Sequence, residues 1–248
     1  MKPPFTIAIL TLFFGILLSH PARSQSAKAA DIAPTPNLLD MVSIQSIEPS
    51  IQIDLKYKTA ANVTGKPIYP PDFQALLRRG VAIELQNAQF ALRKYGYGLR
   101  VWDAWRPIYA QKALFAALPD TRYVADPGLH PLHNRGVAVD VTLYDLATGK
   151  ELPMPTDFDA MDGSAGYFYK GDDYQILRRV QLLQKAMLDN GFHPTRTEWW
   201  HFVSRQWKHY PHIDTIPVAS VLLGNRKGSY EHPAHLSPEK LECVKMTL

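Results

Sequence analysis

Apolar positions along the chain recur at two periods, and these divide much of it into helices and strands. Val81, Leu85, Ala88, Leu92 and Tyr95 are spaced +4, +3, +4 and +3, which paints one face of a helix, and Gly96 follows where a helix C-terminus favours glycine. Leu99-Arg100-Val101-Trp102 then predicts a strand that carries Asp103-Ala104-Trp105-Arg106 to its end. Pro107 opens the next helix, which runs through Leu118 and is closed by Pro119. From Gly136 to Leu143 the period becomes two: Val137, Val139, Val141 and Leu143 share one face, and Ala138, Asp140 and Thr142 share the other. Ile176, Val180, Leu183 and Met187 mark a further amphipathic helix, with Asp172 or Asp173 as its N-cap and Gly191 as its terminator. After a loop through Pro194, the aromatic and β-branched run Glu198 to Val203 predicts a last strand.

The resulting order is helix, strand, helix, strand, helix, strand, with a long irregular stretch from Asp145 to Gly171. Helices between sequential strands are compatible with α+β or mixed α/β, and periodicity alone does not choose.

The N-terminus changes the picture of compartment. Lys2 precedes an apolar run from Phe5 to Leu18, too short for a comfortable membrane span of roughly twenty residues. Ala22-Arg23-Ser24 fits a small-x-small cleavage rule, with Ala27-Lys28-Ala29 as a second candidate. The expected organisation is a signal peptide over 1–24, with cleavage as late as 29, a linker over 25–37 rich in Ala, Ser and Pro, one domain over 38–218, and a C-terminal extension over 219–248. A periplasmic or secreted protein without a stable membrane anchor follows. Loss of Lys2 and Arg23 lowers the formal charge from +4 to +2, which is no nucleic-acid footprint. Cys243 is the single cysteine, so an internal disulfide is excluded and the fold rests on its core.

Candidate chemistry concentrates in His133-Asn134-Arg135-Gly136-Val137-Ala138-Val139-Asp140 and Glu198-Trp199-Trp200-His201. Two imidazoles and one carboxylate hold a zinc ion with its fourth position open to water, and a second carboxylate nearby takes the water's proton. Glu198 is the natural base. Asp140 points away from the aliphatic face of its strand, beside the small residues Gly136 and Ala138. On a straight strand Glu198 and His201 would face opposite ways, so a shared site requires a bulge or Glu198 in the turn before the strand. Arg106, framed by Trp102, Trp105 and Pro107, is a candidate for stabilising an oxyanion. His130, His193, His209 and His212 lie near proline or aromatic residues and are expected to stay off the metal; Trp199 and Trp200 are expected to pack, and Phe168-Tyr169 to form a hydrophobic plug under a loop.

With these residues assembled, the chain resembles the D-alanyl-D-alanine dipeptidases of the vancomycin-resistance type, zinc peptidases related to D,D-carboxypeptidases and the hedgehog signalling domain. The segments that carry the resemblance are Lys56 to Thr59, Thr64 to Pro67, Tyr97-Gly98-Leu99 with Trp102 to Pro107, His133 to Tyr144, Thr148 to Met154, Phe158 to Asp162, and Asn190-Gly191-Phe192 with Glu198 to His201. The resemblance implies an α+β domain with a mainly antiparallel central sheet flanked by helices and carrying the zinc site. It implies one zinc per chain on His133, Asp140 and His201, Glu198 as general base, Arg106 stabilising the transition state, and Tyr57 and Asp159 lining the substrate pocket, with the acid near the ammonium of a D-Ala-D-Ala substrate. The family commonly has serine two residues before the first zinc histidine, where this chain has Pro131. An exported enzyme of this kind would salvage dipeptide from wall turnover rather than act on the cytoplasmic pool. A D,D-carboxypeptidase or other peptidoglycan peptidase on the same zinc site is the alternative activity, and a non-catalytic zinc-stabilised wall-binding protein the alternative of another class.

Overall fold

The computed structural model describes residues 40–129 and 131–213. The expected signal peptide and linker, His130, Cys243 and the extension over 219–248 lie outside the described residues. In chain order the elements are β1 (Met41–Ser43), α1 (Ile44–Ile47), β2 (Gln52–Ile53), β3 (Leu76–Arg78), α2 (Arg79–Arg93), β4 (Tyr97–Asp103), α3 (Ile108–Ala117), β5 (Ala138–Asp145), α4 (Tyr174–Asp189), β6 (Phe192–Pro194) and β7 (His201–Ser204). Five strands form one sheet in the order β2-β4-β5-β7-β6, and β1 pairs with β3 in a separate ribbon. Only the β2–β4 pairing is parallel; β4–β5, β5–β7, β6–β7 and β1–β3 are antiparallel. The architecture is α+β.

The amphipathic helices supply the core. Val81, Leu85, Ala88 and Leu92 of α2 and Val180, Leu183 and Met187 of α4 are all buried, and α2 packs against both β4 and α4. Tyr95 departs from the expected apolar face. Helix α2 stops at Arg93, Gly96 takes a left-handed φ of 77°, and Tyr95 is 40% exposed in the turn between. Asp173 is the N-cap of α4, its carboxylate accepting from the backbone N–H groups of Gln175 and Ile176 at 2.7 and 3.2 Å. Pro107 caps α3 without needing an N–H.

Strand β5 lies between β4 and β7 and is buried on both faces. Val139, Val141 and Leu143 join the apolar cluster with α2 and α4, while Asp140 alternates to the opposite face. Two expectations near the C-terminal end are corrected. The segment before Pro194 is a strand, β6, at the sheet edge, where proline's missing N–H disrupts no second ladder. Strand β7 begins at His201 and not at Glu198, because Glu198 and Trp199 turn out of the sheet: Trp199 donates its backbone N–H to the carbonyl of Ala165 at 2.8 Å, and the Trp200 carbonyl still reaches β5, accepting from the Val141 N–H at 3.0 Å. Trp199 and Trp200 are buried as expected.

Candidate metal centre and active site

Three strands bring the polar groups together on one face of the sheet. Asp140 on β5 is the cross-strand partner of both His201 on β7 and Asp103 on β4. The β4–β5 register shifts between Val101 and Asp103, so that two residues of β4 face one of β5 and Trp102 is the extra residue. Without that bulge the large indole of Trp102 would stand opposite Asp140. His133 enters from a single helical turn, His133–Arg135, that ends at Gly136 with φ 71° immediately before β5. A side chain there would be strained, and a Cβ would lie 2.8 Å from the Met41 sulfur.

The His133 Nε2, Asp140 Oδ1 and His201 Nδ1 atoms converge, with separations of 3.1 Å between the imidazoles, 2.9 Å from His201 to Asp140 and 3.5 Å from His133 to Asp140. Among the described residues, these three form the group of histidine, cysteine and carboxylate side chains placed to hold a metal ion. Donor atoms about 2.0–2.1 Å from a tetrahedral ion stand about 3.3 Å apart, so the triangle has the size zinc requires. The tautomer fits as well. His133 Nδ1 lies 2.6 Å from the Ala104 carbonyl, which can only accept, so Nδ1 carries the proton and the Nε2 lone pair faces the other two residues. Despite its burial, Asp140 is held well below the usual carboxylate range by His133 and His201. His193 lies apart from this group, its Nδ1 nearest the Pro194 carbonyl.

Glu198 sits in the turn just before β7, which resolves the conflict of facing: it need not obey strand alternation with His201. Its Oε2 lies 3.8 Å from His201 Nδ1. Burial, reinforced by the charges of Asp140 and Asp159, pushes its carboxyl up to about 7.

Arg106 is 8% exposed and rigidly held. Its Nε donates to Asp103 Oδ2 and its Nη1 to Gln111 Oε1, both at 2.9 Å, and its Nη2 is ion-paired, 2.8 Å from Asp103 Oδ2 and 3.7 Å from Asp140 Oδ2. The Tyr57 ring stacks under the guanidinium at 5.0 Å. Two of the five N–H groups of a guanidinium are committed to these hydrogen bonds, which leaves N–H groups on Nη1 and Nη2 for a ligand. Asp103 in turn accepts from the Tyr69 hydroxyl at 2.7 Å. Sequence reasoning passed over Asp103, Tyr69 and Gln111; the available signal for Asp103 was its position three residues before Arg106 at a strand end.

Asp159 lies in the irregular stretch and has φ 58°, a left-handed conformation that asparagine and aspartate tolerate better than most residues. Its Oδ1 accepts from the Tyr57 hydroxyl at 3.3 Å and its Oδ2 from the Val63 N–H at 3.0 Å. Burial pushes this carboxyl up to about 7. Tyr57, Arg106, His133, Asp140, Asp159, Glu198 and His201, drawn from separate parts of the chain, line one cavity of about 210 Å³. Pro131 lines it too. Phe168 does not plug the core: it is 74% exposed and, with Tyr169, lines a wider groove beside Thr195.

The D-ala-D-ala dipeptidase family matches residues 37–217 of the chain. A D-alanyl-D-alanine dipeptidase of Escherichia coli K12 is 35% identical over 172 residues, 69% of this chain and 88% of that protein. Its counterpart in Enterococcus faecalis is 32% identical over 174 residues, 61% of this chain and 85% of that protein. A crystal structure of the vancomycin-resistance D,D-pentapeptidase VanY with Zn(II) shares 16% identity at a TM-score of 0.34, over 53% of this chain and 74% of the other, too distant to bear on the site.

Proposed function

This chain belongs to the D-ala-D-ala dipeptidase family, and from that premise we propose that it is a zinc-dependent dipeptidase that hydrolyses D-alanyl-D-alanine to two molecules of D-alanine. The observation that carries the reading is the triangle of His133 Nε2, Asp140 Oδ1 and His201 Nδ1 in the cavity that also holds Glu198 and Arg106. A bound zinc ion supplies Lewis acidity, which lowers the pKa of water towards neutrality and polarises a carbonyl.

The side chains then divide the reaction. Glu198 takes a proton from the attacking water as its oxygen bonds to the amide carbon, and returns it to the departing nitrogen as the C–N bond breaks. N–H groups of Arg106 that are not taken by Asp103 or Gln111 meet the negative charge that grows on the carbonyl oxygen, and those two residues hold the guanidinium so that little reorganisation accompanies the step. Asp159, with Tyr57 beside it, receives the substrate ammonium, whose charge favours the ionised carboxylate over the neutral form that burial would otherwise impose. Recognition of a free amine by Asp159 favours a dipeptide over an acylated peptide chain, and hence dipeptidase over carboxypeptidase. A base and an anchored arginine in the cavity speak against a purely wall-binding role. The expected export signal supports a reaction in the periplasm or outside the cell, where dipeptide released from the wall is the accessible pool.

Two variants separate ligand from base. His201→Ala loses most bound zinc together with activity, whereas Glu198→Gln keeps zinc and loses about 10²-fold or more in turnover. Metal analysis of both proteins beside their rates tests the assignment; full zinc occupancy in His201→Ala, or normal turnover in Glu198→Gln, would overturn it.

A further inference from the structure

Thr195 follows strand β6 and precedes the turn that carries Glu198. It is shared by two spaces. One is the 210 Å³ cavity with His133, Asp140 and His201; the other is a wider groove of about 1070 Å³ between the segment 163–171 and Pro194 to Arg196. Thr195 therefore lies in the wall that the two spaces share. Its Oγ1 is buried and has no hydrogen-bond partner among the described residues. A buried hydroxyl without a partner is unfavourable and is normally satisfied by water or reserved for a ligand.

Charge gives the ligand a direction. The carboxylate of Asp159 lies in the inner cavity, where Arg106 is held by Asp103 and Gln111 and its remaining N–H groups are assigned to the reacting carbonyl oxygen. The charged residues that line the outer groove are both cations, Lys170 and Arg196. A zwitterionic dipeptide with its ammonium on Asp159 would direct its carboxylate away from that acid, towards the side where the potential is positive.

We propose that Thr195 is a specificity-determining residue that donates its hydroxyl to the free carboxylate of the dipeptide, with the groove of Lys170 and Arg196 as the path by which the anionic end enters. This rests on the dipeptidase reading and extends it: Asp159 selects the free amine, and Thr195 in the shared wall selects the free carboxylate. Together they measure the length of the substrate from both ends.

Thr195→Val keeps the shape and β-branching and removes only the hydroxyl. It raises KM for D-Ala-D-Ala about 10-fold, in line with a hydrogen bond to a charged group, and leaves kcat and zinc content near wild type. Thr195→Ser restores KM. With D-Ala-D-Ala amide, which lacks the carboxylate, wild type and Thr195→Val share the same KM. Because the hydroxyl has no partner in the protein, Thr195→Val also leaves Tm unchanged or raises it, whereas a structural hydroxyl would lower Tm on removal. Wild-type turnover with an unchanged KM in Thr195→Val overturns the assignment of Thr195 alone, as does an equal loss on the amide. Absence of D-Ala-D-Ala turnover in the wild type would overturn the dipeptidase reading itself, and the role of Thr195 with it.

Discussion

Asp159→Asn removes the charge proposed to hold the substrate amine while keeping the shape of the wall. At φ 58° asparagine is tolerated, whereas alanine would add about 1–2 kcal/mol of backbone strain. The carboxylate accepts from both Tyr57 and Val63, but an amide has one acceptor oxygen, so one donor is left without a partner at a cost of about 1–3 kcal/mol. An opposing effect depends on pH. Burial moves the Asp159 carboxyl from 3.8 to about 7. A carboxyl whose folded pKa lies above its unfolded value destabilises the fold as pH climbs from about 4 to about 7, here by at most ~4 kcal/mol. Wild type carries that loss and Asp159→Asn does not. In urea titrations of the chelator-treated proteins, the variant should gain about 2–3 kcal/mol relative to wild type between about pH 5 and about pH 8. The same stability difference at both pH values would refute the buried, charge-averse environment assigned to Asp159. In the functional assay, KM for D-Ala-D-Ala rises by about 10-fold or more, equivalent to about 1.5–3 kcal/mol, while kcat changes little. Wild-type KM also falls as pH rises through about 7, because the ammonium needs the ionised carboxylate. A variant with unchanged KM would refute the ammonium site.

Other perturbations test the supports of the site. Asp103→Asn removes the nearer of the two buried counter-charges of Arg106; zinc stays, kcat falls about 10-fold or more, and unfolding free energy drops by about 3 kcal/mol, read from steady-state rates and denaturant titration. An undiminished kcat would show that Asp103 does not position the guanidinium. Gly136→Ala meets both the left-handed φ of 71° and the Met41 sulfur, costing about 1–2 kcal/mol from backbone strain before any overlap, so Tm falls by several degrees and zinc affinity weakens as the His133 turn shifts. A Tm equal to wild type would contradict this. When the full chain is expressed in a Gram-negative host, mass spectrometry of the periplasmic fraction should find an N-terminus beginning after Ser24 or Ala29; an intact Met1 end confined to the cytoplasm would contradict export.

The two long amphipathic helices and the central strand were legible because each buries a periodic face, a property that local spacing records. Short strands are different: β2 and β6 hold two and three residues, too few to show a period, and they exist because β4 and β7 offer them an edge. The zinc candidates were legible as residue types at the ends of strong elements. Their convergence depends on register, and the bulge at Trp102 that aligns Asp103 with Asp140 is a property of two strands together, invisible along either one. Glu198 was placed at the turn only as one of two alternatives, because the pull of Trp199 towards Ala165 is a contact across thirty-four positions. Asp159 and Thr195 lie in irregular backbone, where no period orients a side chain, so their place in the cavity emerges only from tertiary packing.

The central claim is tested most directly by measuring D-alanine released from D-Ala-D-Ala by the purified protein, before chelation, after chelation, and after zinc is restored. The account predicts two D-alanine per dipeptide, loss of activity on chelation, recovery with one zinc per chain, and no cleavage of N-acetyl-D-Ala-D-Ala. Activity that survives complete removal of metal, or acetylated dipeptide cleaved as fast as the free one, would contradict it.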